Sequence, residues 1–323
     1  AHSNTTAMLD SILNTYVSAG TERVHVSGTA GIVMLPMEDT DTDQIAVLLD
    51  ESIRVARRSG RNSINVYEPG RNVGDSVSSV QRSTSLILDA LAEDRFQLFR
   101  QPIVSVVERS VKHYEVLIRM IDPDGSLRSP IEFIPQAESL NLIQQIDRWV
   151  IEHSMQLWAA AQNAGDTTHL AINVSGMSVG KDMAAYLRDQ ADLCGVPHDA
   201  ITVEITETAA MQDDSLAVEM AEALHEDGFK LAIDDFGSGA TSLAKVRELK
   251  FEYLKLDGIL VKNLAENESD REFVAALSKL AHDIGVEIIA EFVQDESTME
   301  FLAECEIEYA QGYFIGEPEP FPS

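Results

Sequence analysis

The sequence predicts an α/β protein, a modified (β/α)8 TIM barrel with one antiparallel strand, preceded by a small α/β segment. Three observations carry that reading. From residue 96 onward, eight short β-rich runs alternate with helical patterns over roughly 230 residues, the rhythm of a strand-and-helix barrel. The link between the first two runs, "SVVERSVK" at 105–112, is too short for a crossover helix and reads as a hairpin, which makes those two strands antiparallel. Near residue 70 the pattern changes character, and "GRNVGDSVSSV" at 70–80 is rich in Gly and Ser. An open, doubly wound sheet is the alternative architecture.

Taken in order, residues 5–19 carry a helical pattern, and "RVHVSGTAGIVML" alternates as a strand or hairpin. "DTDQIAVLLDESIRVARRSG" reads as a helix with an acidic start, basic residues in its last turn and Gly60 as its stop. "SINVYEP" is a short strand, which completes a segment over 1–70. Residues 71–85 read as linker and the start of a connecting helix, and 86–323 as the barrel domain. The strand candidates there are "FQLFRQPIV", "HYEVLIRM", "THLAINVSG", "AITVEITET", "FKLAIDDFG", "FEYLKLDG", "VEIIAEFV" and "EYAQGYFIG". Helical stretches such as "DDSLAVEMAEALHEDG" separate most of them.

The charge balance narrows the partners. The chain has 54 acidic and 24 basic residues, a formal net charge of -30. Polymeric nucleic acid and anionic membrane bind through Lys and Arg, so neither is expected here. No apolar run approaches the ~18 residues of a membrane span. The two cysteines, Cys194 and Cys305, are far apart and without metal-ligand spacing, which favours a reduced, cytoplasmic chain over a disulfide. A membrane tether would have to lie outside this sequence.

The chemistry gathers at the strand ends. The second strand carries Glu115, the third ends at Asn173, and the fourth carries Glu204 with Glu207 beyond it. The fifth ends at Asp234 and Asp235, the sixth carries Lys255 and Asp257, the seventh Glu291 and the eighth Gln311. Each is a polar interruption of an apolar run, and burying one costs several kcal/mol unless it is paired or bound to metal. In a barrel these positions converge on one mouth. Oxygen-only ligands select hard ions such as Mg²⁺ or Mn²⁺, and two of them would suit phosphoryl chemistry. Lys255 adds a cation for a water or a phosphate oxygen. Taken singly, each acid is as well explained as a helix cap or loop residue, Lys255 as a surface lysine and Gln311 as an interior amide. Arg119, four residues past Glu115, is either a phosphate grip or a surface salt bridge. "GSG" at 237–239 reads as a turn, and Trp149 and Trp158 read as core.

The motifs "YEVLIR", "AINVSG", "VEITET", "AIDDFGSG", "LKLD", "IAEFV" and "YAQGYFIGEP", in that order, resemble the EAL-domain family of cyclic di-GMP phosphodiesterases over residues 86–320. The resemblance implies a modified TIM barrel with one antiparallel strand and two divalent cations, Mg²⁺ or Mn²⁺. The implied reaction is hydrolysis of cyclic di-GMP to linear pGpG. It also implies Glu115, Asn173, Glu204 and Asp234 around one metal, with Asp234, Asp235 and Glu291 around the second. Lys255 matches the lysine that holds the attacking water, Glu291 is also the family's proposed general base, and Glu207 matches the glutamate supporting the loop after Asp235. Gln101, Leu117, Arg119, Asp235 and Gln311 match substrate-contacting positions. A homodimer through the barrel is a further family expectation.

The N-terminal segment resembles the C-terminal half of a GGDEF domain without its signature, so the chain is expected to start inside a degenerate GGDEF domain, with no cyclase activity. Four positions depart from the EAL pattern: Val116 in place of the motif's alanine, Phe292 and Gln294 in place of the glycine and second glutamate of "AEGVE", and Ala240 in the loop after Asp235. The "EVL" and "EFVQ" departures, with the incomplete GGDEF partner, motivate the rival reading, a catalytically silent cyclic di-GMP receptor of the FimX-like type. A barrel enzyme using Mg²⁺ for enolisation or sugar chemistry also fits the carboxylates, but not the motif order.

Overall fold

The computed structural model describes residues 84–321 apart from 164, 167, 213, 238–242, 263 and 265–266, and before them only 16–19, 22–25, 30–33, 45, 48–49, 52–53 and 64–67. The chain divides into two compact units, Ala1–Ser83 and Thr84–Ser323.

In the first unit, β1 (Tyr16–Ala19) and β2 (Glu22–His25) pair antiparallel, while β3 (Ala30–Val33) and β4 (Ile64–Tyr67) pair parallel. The helix expected over 5–19 is contradicted at 16–19, which is strand. Tyr16 and Val17 favour extended backbone, and pairing with β2 settles the matter. The expected helix between β3 and β4 is seen at 45, 48–49 and 52–53. Ser52 ties it to β3, its hydroxyl accepting from the Ile32 amide at 3.3 Å. The stop at Gly60 and the linker at 71–83 lie outside the described residues.

The second unit is a closed eight-stranded barrel entered by a helix over 84–92. Its strands are β5 (Phe96–Ser105), β6 (Val111–Ile121), β8 (His169–Asn173), β9 (Ile201–Thr206), β10 (Lys230–Phe236), β11 (Tyr253–Leu256), β12 (Glu287–Ala290) and β13 (Tyr309–Ala310). The short β7 (Leu127–Arg128) extends β6, and β14 (Glu319–Pro320) lies against β5. From β6 through β13 the barrel pairs are parallel; β5 is antiparallel to both β6 and β13 and closes the ring. The short first connection is thus a hairpin, and the open sheet is excluded. Burial on both faces explains the near-continuous apolar runs: all of Ile201–Ile205 in β9 is buried, and β-branched residues fill most of it.

Helices cover the outside. Lys181–Cys194 and Glu268–Ile284 end at Gly195 and Gly285, whose φ of 68° and 77° stop each helix in the left-handed region glycine favours. Trp158 is core, its indole donating to the Thr168 carbonyl at 3.1 Å; Trp149 packs against Phe96 and His153. Both cysteines are free thiols, and among the described residues no helix is long and apolar enough to cross a membrane.

Strand register decides what faces inward. Asn173 pairs with Glu204, Glu204 with Ala232, Lys255 with Ile289 and Gln101 with Glu115, so partners and their i±2 neighbours share the interior face. Towards the N-terminal ends of the parallel strands, the rings of His113, Tyr253 and Tyr309 meet edge-on at 5.1–5.9 Å. Ile103, Ala232 and Ile289 form the apolar level above them. Higher still the interior turns polar.

One acid outside that mouth reports on folding. Asp147, on the helix Ile143–Asn163, is buried and accepts from the Ser178 hydroxyl at 2.5 Å and the Ser175 amide at 3.2 Å. Burial pushes its carboxyl up to about 7. The folded chain therefore holds a proton that the unfolded chain gives up, a stabilisation complete below about pH 4 and lost as pH rises through about 7. Asp147→Asn removes the dependence. In urea unfolding the wild type is expected to lose on the order of 3 kcal/mol more than the variant between pH 4 and pH 8.

Candidate active site

Lys255, fully buried on β11, is the centre of the polar mouth. Its ammonium lies 2.7 Å from Glu204 Oε2, 3.0 Å from Glu291 Oε1, 3.2 Å from Asp234 Oδ1 and 3.5 Å from Glu115 Oε1. Four strands, β6, β9, β10 and β11, deliver these groups directly, and Glu291 stands one residue beyond β12. Asn173 closes the gap between β6 and β9, donating to Glu115 Oε1 at 2.8 Å. Burial disfavours the Lys255 charge, but the four carboxylates outweigh it and hold the ammonium well above its ordinary value. Four acids to one lysine leaves negative charge in surplus. Burial, reinforced by Glu115 and Asp234, pushes Glu204 well up despite the lysine, and burial likewise pushes up Glu291.

The strand ends turn sharply. Asp235 and Phe292, each following a mouth carboxylate, have φ of 57° and 56°, a left-handed backbone that side chains seldom adopt. The turn at Asp235 is braced by its amide, which donates to Asp234 Oδ1 at 2.9 Å. Burial first and the Asp234 charge second push the Asp235 carboxyl up to about 6. Glu207 is buried at the start of the helix Glu207–Gln212 and accepts from the Gly237 amide at 3.2 Å, so it grips the chain just past β10. Ser238 to Ser242, including Ala240, lie outside the described residues.

These groups suit a divalent cation. Oxygens of Asp234, Asp235 and Glu291 lie within 4.8 Å of one another. Among the described residues Glu204 Oε1 is buried with no hydrogen-bond partner, an acceptor that a cation would satisfy. Glu115, Asn173, Glu204 and Asp234 could hold one ion, and Asp234, Asp235 and Glu291 another.

Above the mouth opens a pocket of about 510 Å³. Gln101, Glu115, Leu117, Arg119, Asp235, Glu291 and Gln311 all line it, as do Phe292 and Gln294. Arg119 is neither a surface salt bridge nor engaged with an acid among the described contacts. Its guanidinium lies 5.1 Å from the Phe99 ring centre and donates to the Ile118 carbonyl. Asp257 is a helix cap, accepting from the Ile259 amide at 2.6 Å, as a lone acid after a strand usually is. Sequence reasoning missed Lys262 and Tyr313, which also line the pocket. Tyr313 stands two residues past Gln311 and was findable. Lys262, whose ammonium sits 4.1 Å over the Phe292 ring, carried no signal, because a lysine at a helix end is ordinarily solvent-facing.

A closed barrel with one reversed strand and a lysine-centred cluster of carboxylates beneath an open pocket defines a class: barrel proteins with a mouth suited to divalent cations. Within that class the chain belongs to the EAL domain family, whose model matches residues 86–318. It is 35% identical over 271 residues to the cyclic di-GMP phosphodiesterase PdeB of Shewanella oneidensis, covering 83% of this chain and 32% of that protein. It is 32% identical over 253 residues to the cyclic di-GMP phosphodiesterase PdeF of Escherichia coli, covering 77% and 33%. The chain thus spans about a third of the length of these relatives. Among solved structures, the PaMucR phosphodiesterase in complex with c-di-GMP aligns with a TM-score of 0.70 at 28% identity, over 74% of this chain and 98% of that one. The Xanthomonas citri FimX EAL domain in complex with c-di-GMP aligns at 0.69 and 26%, over 75% and 95%.

Removing the central cation should expose the surplus of negative charge. Lys255→Met is expected to destabilise the metal-free protein by about 3–5 kcal/mol, since it leaves buried carboxylates uncompensated. Thermal unfolding in EDTA and in excess Mg²⁺ checks this: the variant's midpoint should rise with Mg²⁺ by more than the wild type's.

Proposed function

We propose that this chain is a metal-dependent phosphodiesterase that hydrolyses cyclic di-GMP to linear pGpG. The observation that carries the proposal is the full set of oxygen ligands, Glu115, Asn173, Glu204, Asp234, Asp235 and Glu291, gathered around a buried Lys255 under the pocket of an EAL barrel. The relatives' names support the substrate.

In this reading Glu115, Asn173, Glu204 and Asp234 hold one ion, and Asp234, Asp235 and Glu291 the second, with Mg²⁺ or Mn²⁺ in both. When bound, the two cations neutralise the phosphodiester and lower the pKa of water. Lys255 orients the attacking water and Glu291 takes its proton. Water oxygen bonds to phosphorus as the bond to one ribose oxygen breaks; that oxygen takes up a proton from solvent to leave as the free hydroxyl, which opens the ring. Glu207 steadies the backbone after Asp235 through Gly237. Arg119, Leu117, Gln101 and Gln311 form the substrate side of the pocket. The acidic surface does not repel the dinucleotide, because the cations reverse the field where it binds. The N-terminal unit is a degenerate GGDEF remnant, the barrel pairs into a homodimer, and the chain works in the cytoplasm.

A second reading, a cyclic di-GMP receptor without turnover, is favoured by Val116, Phe292 and Gln294 and by the likeness to FimX. Incubation with cyclic di-GMP and Mg²⁺ or Mn²⁺, followed by chromatography, separates the two. The phosphodiesterase yields pGpG and stops in EDTA, and Glu115→Ala lowers turnover by on the order of 1,000-fold or more. Micromolar or tighter binding without product would establish the receptor instead; neither binding nor product would end both readings.

A further inference from the structure

We infer that Gln101 and Gln311 are positioning residues: a relay of two amides that sets the metal ligand Glu115 from a backbone carbonyl in the C-terminal loop. The inference rests on the proposed role of Glu115 as a cation ligand and deepens it.

The relay runs in one direction. The Gly316 carbonyl accepts from Gln101 Nε2 at 3.0 Å. A carbonyl can only accept, so Gln101 must present its nitrogen to Gly316 and its oxygen to Gln311. Gln311 answers with its own nitrogen, at 3.0 Å from Gln101 Oε1, and the same nitrogen donates to Glu115 Oε2 at 2.5 Å. Both N–H bonds of Gln311 are then spent. One backbone carbonyl thus fixes the orientation of two side-chain amides and one oxygen of the carboxylate. Glu115's other oxygen is held by Asn173. The ligand is aimed before any cation arrives, the condition under which outer partners tune metal affinity.

The far end of the relay is rigidly placed. A Cβ built on Gly316 would lie 2.7 Å from Pro102 Cγ and 3.2 Å from its Cδ, so the loop backbone rests directly on β5, one residue past Gln101. The amides themselves are interior: Gln101 is 8% exposed and Gln311 4%, and Gln311 Oε1 is buried with no hydrogen-bond partner among the described residues. They line the pocket from below, with both N–H bonds of Gln311 and one of Gln101 committed to the protein.

The test measures Mn²⁺ binding to the substrate-free full chain by calorimetric titration, with thermal unfolding alongside. Gly316→Ala displaces the carbonyl without altering any side chain of the site, and Gln101→Leu breaks the relay in place if the glycine variant fails to fold. Either folded variant is expected to bind Mn²⁺ at least about 10-fold more weakly than the wild type. Wild-type Mn²⁺ affinity in the folded variants overturns the relay. Failure of the wild type itself to bind Mn²⁺ overturns the metal-dependent reading on which the relay stands.

Discussion

Everything at the mouth of this barrel depends on Lys255 being buried among carboxylates. An isolated ammonium inside a protein is unstable by several kcal/mol, and so is each acid around it. Together they hold one another in place, because the lysine touches Glu115, Glu204, Asp234 and Glu291, which are carried on or just past four separate strands. The apolar level of Ile103, Ala232 and Ile289 beneath them keeps the floor dry, which strengthens every charge interaction above it. Four acids around one base is an unbalanced arrangement. It leaves the site receptive to further positive charge, and that asymmetry turns a structural ion cluster into a place for cations.

The same mouth carries the strain of the fold. Asp235 and Phe292 both sit in a backbone region suited to glycine, and both come straight after a carboxylate that touches Lys255. Such conformations cost about 1 kcal/mol or more each and persist only where the surroundings impose them. At Asp235 the turn brings a second carboxylate beside the first. At Phe292 it lifts an aromatic ring to the pocket rim, over Gly258, where a Cβ would meet the ring at 2.5 Å. Phe292, Gly258 and Lys262 therefore constrain one another's chemistry.

Much of this was legible in the sequence for a simple reason. A carboxylate, amide or lysine inside a run such as "AITVEITET" or "LKLD" has no comfortable solitary explanation, and eight such runs with short connections have few ways to fold. Asp257 shows the limit of the pattern: it shares the strand-end position but spends its side chain on a helix start. Pairing between distant segments was illegible. Nothing local to Gln101 or Gln311 announces that the two amides meet, because the contact is made by closure of the ring between β5 and β13. The misjudged stretch at 16–19 is a different case: its partner β2 follows after only two residues, and the short-range pairing overrides the helical pattern read over 5–19.

The reversed strand β5 pairs with β6, its immediate successor, and with β13, more than 200 residues later. A chain leaving the ribosome can form the first pairing at once, but must add more than 200 further residues before making the second. Until then the acids and the lysine stand on an unclosed sheet, wet and unable to organise one another. The centre is therefore completed only once β13 has emerged, and a chain that stops short of β13 has the ligands without the site. Long-range closure of this kind slows folding and leaves strand edges exposed in the interval. A nascent chain of this design stays chemically silent until the barrel is shut.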